Sequence, residues 1–199
     1  MRVVLATRNA HKVVEVRRIL AEAGLAVDLV GMDAFPDAPE VAETGLTFEE
    51  NALLKARAIA QATGLPAIAD DSGLAVDVLG GMPGIFSARW AGGHGDDIAN
   101  LQLVLAQLSD VADGHRGAAF VCAAAIARQG GDEHVVRGEL RGRLTREPRG
   151  TNGFGYDPIF CPDGERRTTA EMEPREKDAI SHRGVAFRAL AQHFGAIVE

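Results

Sequence analysis

Cysteine is nearly absent from the 199 residues: Cys122 and Cys161 lie far apart and form no CxxC pair. Neither a disulfide framework nor a zinc site is therefore expected, and both thiols read as small buried hydrophobes. No stretch approaches the ~20 apolar residues of a membrane-spanning helix. The apolar run Val3 to Ala6, behind a single Arg, is too short for a signal peptide. A cytoplasmic protein with no membrane partner is expected. Positive charge is also scarce, since 21 Lys and Arg against 28 Asp and Glu leave a net charge of -7. That balance speaks against a nucleic-acid polymer, whose binders neutralise several phosphates with clustered cations. One small nucleotide remains open, because a divalent metal can neutralise its phosphates locally.

What is present suits a globular chain able to bury a full core: about 70% of its unfolded surface is removed from water at this length. One domain, residues 1–199, is expected, with two lobes as the variant. Val3 to Ala6 reads as a buried strand. Val13, Val16, Ile19, Leu20 and Ala23 then recur at helical spacing up to Gly24, and Val27 to Val30 reads as a second strand. After an acidic loop from Asp33 to Gly45, Thr47 and Glu50 form a capping-box pattern. The helix it opens has Phe48, Leu53, Leu54 and Ile59 on its core side and Gly64 as its stop. Ala67 to Ala69 is expected to be a short strand ending at Asp70, with Leu74 to Leu79 extended beyond it. A helix around Ile98 to Leu108, a central strand from Ala118 to Ala127, one or two strands within Val135 to Leu144, and a closing helix from Val185 to Phe194 complete the reading. Strands alternate with helices early and cluster late, so an α/β fold with a mixed sheet flanked by helices is expected.

Five places could carry chemistry. The strand-to-helix turn Thr7 to Lys12 (TRNAHK) can offer backbone donors and the positive end of a helix dipole to a phosphate. It lacks the glycines of a P-loop, and a plain cap with a surface lysine would look the same. Asp70 and Asp71, followed by Ser72 and Gly73, place two carboxylates side by side after an apolar strand. They repel each other and lose solvation unless a cation or a proton-transfer role compensates, although an Asp-rich turn is the plain alternative. Adjacent strand residues face opposite ways, so the two would act separately. Asn51 and Lys55 stand one turn apart on a helix, with Glu43 upstream, and a solvated face would show the same pattern. The loop Asn152 to Pro158 sets Phe154 and Tyr156 among glycines, which could let the rings stack on a flat ligand or simply fill a core. Finally Glu176 to Gly184 gathers Lys177, Ser181, His182 and Arg183 near an expected helix start, where they could meet the carbonyls of a purine edge.

Each pattern alone is weak, but their order is specific. From TRNAHK through ETGLTFEENALLKA, AIADDSGLAVDVLGGMPGIFSARWAG and GFGYDPIF to EKDAISHRG, nearly the whole chain resembles the inosine triphosphate pyrophosphatase family, also called Ham1-like. The resemblance implies an elongated α/β fold, a twisted mixed sheet, two lobes around a cleft, and a homodimer. It implies Mg²⁺-dependent hydrolysis of inosine, deoxyinosine or xanthosine triphosphate to monophosphate and pyrophosphate. On these residues it makes Asp71 the catalytic base and, with Glu43, a metal ligand. The triphosphate falls to Thr7, Arg8, Asn9, Ala10, His11, Lys12 and Lys55, with Asp70 and Ser72 beside them. Phe154, Gly155, Tyr156, Asp157, Lys177, His182 and Arg183 would form the nucleobase pocket. A donor aimed at the purine C6 oxygen would disfavour adenine, whereas guanine carries the same carbonyl and is not separated by that contact. Arg8 and Trp90 depart from the residues common in bacterial relatives. A Maf-like pyrophosphatase of modified pyrimidine nucleotides and a nucleotide sensor without turnover are the alternatives.

Overall fold

The computed structural model describes residues 2–25 and 27–195. Its elements run β1 (Arg2–Leu5), α1 (Ala10–Glu22), β2 (Asp28–Gly31), α2 (Phe48–Thr63), β3 (Ala67–Val76), α3 (Asp97–Gln107), β4 (Gly117–Ala127), β5 (Glu133–Leu144), β6 (Phe160–Pro162), α4 (Pro174–Ile180) and α5 (His182–Ala191). The strands form one sheet in the order β2-β1-β3-β4-β5-β6. β1 runs parallel to β2 and β3, while β6 is antiparallel to β5, so the mixed α/β sheet is as expected. β4 lies inside the sheet and its side chains are buried from Ala118 to Ala127, which is why its sequence is apolar without alternation.

Helix ends follow local chemistry. Asn9 caps α1, its Oδ1 accepting from the N–H groups of His11 and Lys12. Thr47 caps α2 by accepting from the Glu50 N–H at 3.1 Å. The return bond of the expected box goes one residue further back: Glu50 Oε2 takes the Leu46 N–H at 2.6 Å. Gly64, with a φ of 68°, ends α2 in the left-handed region that favours glycine. The buried stripe of α2 is Phe48, Asn51, Ala52, Ala56, Ile59 and Ala60. Leu53 and Leu54, expected on that side, are only half-buried. The small alanines face the core at the 3-to-4-residue repeat, and the leucines flank them.

Three elements differ from the sequence reading. β3 does not stop at Asp70 but runs through Asp71, Ser72 and Gly73 to Val76. β6 is too short to show a period. α4 was not expected as a helix of its own; its signals were Pro174 in the first turn and the capping box of Glu173 and Glu176.

The chain divides into two compact units. Unit 1 holds the residues up to Asp71, Cys122–Gly138, and those from His182 onward; unit 2 holds Ser72–Val121 and Glu139–Ser181. In unit 1, Val16, Ile19 and Leu20 of α1 and Phe187 and Leu190 of α5 pack with Leu5, Ile68 and Ile126. In unit 2, Leu101, Val104 and Leu108 pack with Leu74, Phe120, Tyr156 and Phe160. Burying each such side chain contributes roughly 1.5–3 kcal/mol.

Unit 2 also buries a whole arginine. Arg116 donates to the carbonyls of Leu108 (2.7 Å), Leu144 (3.0 Å) and Thr145 (2.8 Å), joining the end of α3 to the end of β5. Its charge suits the carbonyl end of a helix. Arg116→Met keeps the bulk but removes the donors from three carbonyls, so stability should fall by about 2–3 kcal/mol. Thermal unfolding should show a Tm lower by about 5–10 °C, and a shift under two degrees would mean that other donors replace it.

Candidate active site

Unit 1 assembles two ion clusters around the paired aspartates. Asp70 and Asp71 are neighbours in β3 and consult different partners because successive strand side chains alternate. Asp70 is fully buried, and its Oδ2 meets Lys12 Nζ at 3.0 Å and Arg183 Nη2 at 3.3 Å. Arg183 Nη1 in turn pairs with Glu15 of α1. Burial by itself would push the Asp70 carboxyl up, but Lys12 and Arg183 outweigh it and hold the group below the usual carboxylate range. Cys122 Sγ lies 4.0 Å from the same carboxylate. Burial, reinforced by Asp70, pushes that thiol up, so it is no nucleophile.

Asp71 is handled differently. Asn51 Nδ2 donates to its Oδ2 at 3.1 Å, and Lys55 Nζ sits 3.4 Å from its Oδ1. The same ammonium donates to Glu43 Oε1 at 2.7 Å, so one lysine bridges two carboxylates. Burial raises the Asp71 carboxyl above its ordinary value, and nearby Glu43 raises it further, against the pull of Lys55. Burial disfavours the Lys55 cation, yet Asp71 and Glu43 outweigh it and raise its pKa. Adjacent carboxyls thus diverge, one held down and one pushed up, which is the pattern that separates a structural anion from a proton acceptor.

The oxygens of Glu43 and Asp71 are hard donors that fit Mg²⁺. Among the described residues no three His, Cys, Asp or Glu side chains gather into a metal cage.

The turn Thr7 to Lys12 keeps fewer free donors than the sequence implies. Thr7 Oγ1 accepts from the Asn9 N–H, while Asn9 Oδ1 takes those of His11 and Lys12. Arg8, Asn9 and Ala10 are exposed. Lys12, in the first turn of α1, points at Asp70.

In unit 2, Ser72 follows in β3 and is half-buried. The glycine loop is pinned at several points. Gly155 N–H donates to Asp97 Oδ2 at 2.9 Å, Asn152 Nδ2 to the Met172 carbonyl at 2.9 Å, and Tyr156 Oη to the Ser87 carbonyl at 2.8 Å. Tyr156 is buried in the unit 2 core, so its ring fills the interior, whereas Phe154 is half-exposed. Asp157 Oδ2 accepts from the Phe154 N–H at 2.9 Å and from Lys177 Nζ at 2.6 Å. The Lys177 ammonium lies 5.4 Å from the centre of the Phe154 ring.

The segment Glu176 to Gly184 is not one helix start. It breaks at Ser181, leaving Lys177 on α4 in unit 2 and His182 and Arg183 in the first turn of α5 in unit 1. Arg183 is held by Asp70 and Glu15, and His182 is buried. Gly138 of β5 lies so close to the His182 carbonyl that a Cβ there would collide with it. Sequence reasoning missed Glu15 and Asp97. The spacing of Asn51 four residues before Lys55 placed the two on one helix face, but nothing marked Asn51 as buried or named Asp71 as its partner.

Residues 3–193 match the Ham1 family. A Streptomyces avermitilis protein named dITP/XTP pyrophosphatase is 68% identical over 95% of this chain and 94% of its own length. Its Mycobacterium tuberculosis counterpart of the same name is 56% identical over 96% of this chain and 92% of its own. A Mycobacterium abscessus dITP/XTP pyrophosphatase crystal structure, 55% identical, covers 96% of this chain and 97% of that one with a TM-score of 0.77. A Coxiella burnetii HAM1 structure, 42% identical, covers 98% and 99% with a TM-score of 0.87. With buried paired aspartates, a lysine bridging two carboxylates and matches over nearly its full length, the chain belongs to the Ham1 family.

Proposed function

We propose that this enzyme hydrolyses non-standard purine nucleoside triphosphates (ITP, dITP and XTP) to the monophosphate and pyrophosphate, in a Mg²⁺-dependent reaction. The observation that carries this reading is Asp71: a buried carboxylate, pushed up in pKa, with one oxygen held by Asn51 and the other facing Lys55. Such a group is poised to take a proton, which a water attacking the α-phosphorus must lose. Asn51 fixes Oδ2, so Oδ1 is the receiving atom. Glu43 and Asp71 would hold Mg²⁺, which when bound neutralises phosphate charge and orients the triphosphate. Lys55, drawn from its two carboxylates, and Lys12 would meet phosphate oxygens, while the exposed Arg8, Asn9 and Ala10 lie on the same turn as Lys12. Phe154 would stack on the base, with Lys177 offering a donor to the C6 oxygen. The relatives named dITP/XTP pyrophosphatase support this substrate class. The family resemblance supports a cytoplasmic homodimer, which sedimentation measures. Among the described residues no helix is long and apolar enough to cross a membrane.

Purified protein offered ITP, dITP, XTP, GTP and ATP should release pyrophosphate from the first three with Mg²⁺ and from none in EDTA. IDP and orthophosphate as first products would overturn the proposed attack at the α-phosphorus. Full turnover in EDTA would remove the metal.

A further inference from the structure

The Asp157 carboxylate is held from three directions, two of which involve residues already placed near the base. Its Oδ2 takes the Phe154 N–H and the Lys177 ammonium. Its Oδ1 takes the hydroxyl of Thr169, at 2.8 Å, and the same hydroxyl lies 3.1 Å from the Asp157 carbonyl. Asp157, Thr169 and Lys177 are all buried. Gly153, with a φ of 77°, passes so close to Asp157 Oδ2 that no Cβ fits between them.

Without Thr169 the carboxylate would keep partners on one oxygen only. The terminal torsion of an aspartate is broad and roughly two-fold, so a carboxylate anchored at one oxygen can tilt. Tilting moves the anchor of both Lys177 and the Phe154 N–H. The hydroxyl donor on the far oxygen prevents it, and burial makes the hydrogen bonds strong. Lys177 therefore keeps its ammonium beside the Phe154 ring rather than sampling the loop.

We propose that Thr169 is a positioning residue for nucleobase selectivity: acting through Asp157, it sets where the Lys177 ammonium stands relative to the Phe154 ring, and so favours a purine with a carbonyl at C6. The inference rests on the reading that Phe154 and Lys177 meet the base. A donor to a C6 carbonyl discriminates only if its position is fixed, because small displacements of a bound group cost large factors in rate. Phosphate contacts, common to every nucleoside triphosphate, are untouched by this device.

The test compares kcat and KM for ITP and ATP in Thr169→Val, Thr169→Ala and Thr169→Ser. Removing the hydroxyl should lower kcat/KM for ITP about tenfold, mainly through KM, while ATP changes less than twofold. The ITP-to-ATP ratio should narrow accordingly, and Thr169→Ser should restore it to within about twofold of the parent, since it keeps the donor. Thr169→Ala removes the same hydroxyl without setting a methyl against the carboxylate, and it reads the ratio if the Val variant folds poorly. Equal losses on ITP and ATP would make Thr169 merely structural and overturn the proposal, as would an unchanged ratio. Phe154→Ala separates the two levels. If it shifts the ratio and Thr169→Val does not, Thr169 alone falls. If neither shifts it, the base-pocket reading falls with it.

Discussion

Asp71→Asn should lower kcat for ITP by at least ~100-fold without making the folded protein less stable. The two outcomes share one cause. Burial and Glu43 raise the Asp71 carboxyl above its ordinary value despite Lys55. A carboxyl whose pKa rises on folding binds its proton more tightly in the fold, so above that pKa its ionised form subtracts from stability. That subtraction is present above the folded pKa and fades as the pH falls through it. The amide has the same shape, can still accept from Asn51, and leaves Lys55 paired with Glu43. It cannot take a proton from water and binds a divalent cation weakly. Thermal unfolding at neutral pH should therefore give a Tm at or above the parent's, the signature of a strained group kept for function. A kcat within threefold of the parent would show that Asp71 is not the base, and a Tm several degrees lower would show that the Lys55 pair outweighs burial.

The contrast between the two aspartates also marks where sequence reasoning reaches its limit. That they face apart follows from strand periodicity alone, and the caps Asn9, Thr47 and Gly64 follow from local chemistry. β4 was legible because eleven residues with hardly a polar side chain must be buried on both faces. Yet the opposite fates of the two carboxyls depend on Arg183, 113 residues away from Asp70, and on Asn51 and Lys55 of α2. No spacing rule encodes such partners. The same limit explains β3: the strand was expected to end at Asp70, but the charges of the two aspartates are met by cations, so it continues. It also explains Tyr156, which beside glycines reads equally as a ligand platform or a core ring; its ring fills the unit 2 core and its hydroxyl binds the Ser87 carbonyl. Glu176 to Gly184 misled for a local reason. Ser181 lies between two helices, and the cations on either side answer to different carboxylates, Asp157 for Lys177 and Asp70 for Arg183.

Asp70→Asn should have the largest effect on stability of any single exchange at the site. Asp70 is the anion shared by Lys12 and Arg183, both largely buried, and only Arg183 has Glu15 as a second carboxylate. Neutralising it leaves two cations facing each other across an amide in a poorly solvated setting. Breaking a buried pair in this way costs about 3–5 kcal/mol, so Tm should fall by on the order of 10 °C. The pH dependence gives the sharper test. Lys12 and Arg183 hold the folded Asp70 carboxyl below its ordinary value. A depressed carboxyl contributes stability that is fully present above its unfolded pKa, near 4, and lost as the pH falls toward the folded one. In the parent, then, Tm should drop as the pH is lowered below about 4, and part of that drop belongs to Asp70. Asp70→Asn has no proton to take up there, so its Tm should start lower at neutral pH and fall less steeply in acid, and the two curves should converge. Parallel curves would mean that Asp70 does not titrate against its cations. A variant within two degrees of the parent at neutral pH would mean that Glu15 alone suffices to hold Arg183, with Lys12 free to leave for solvent.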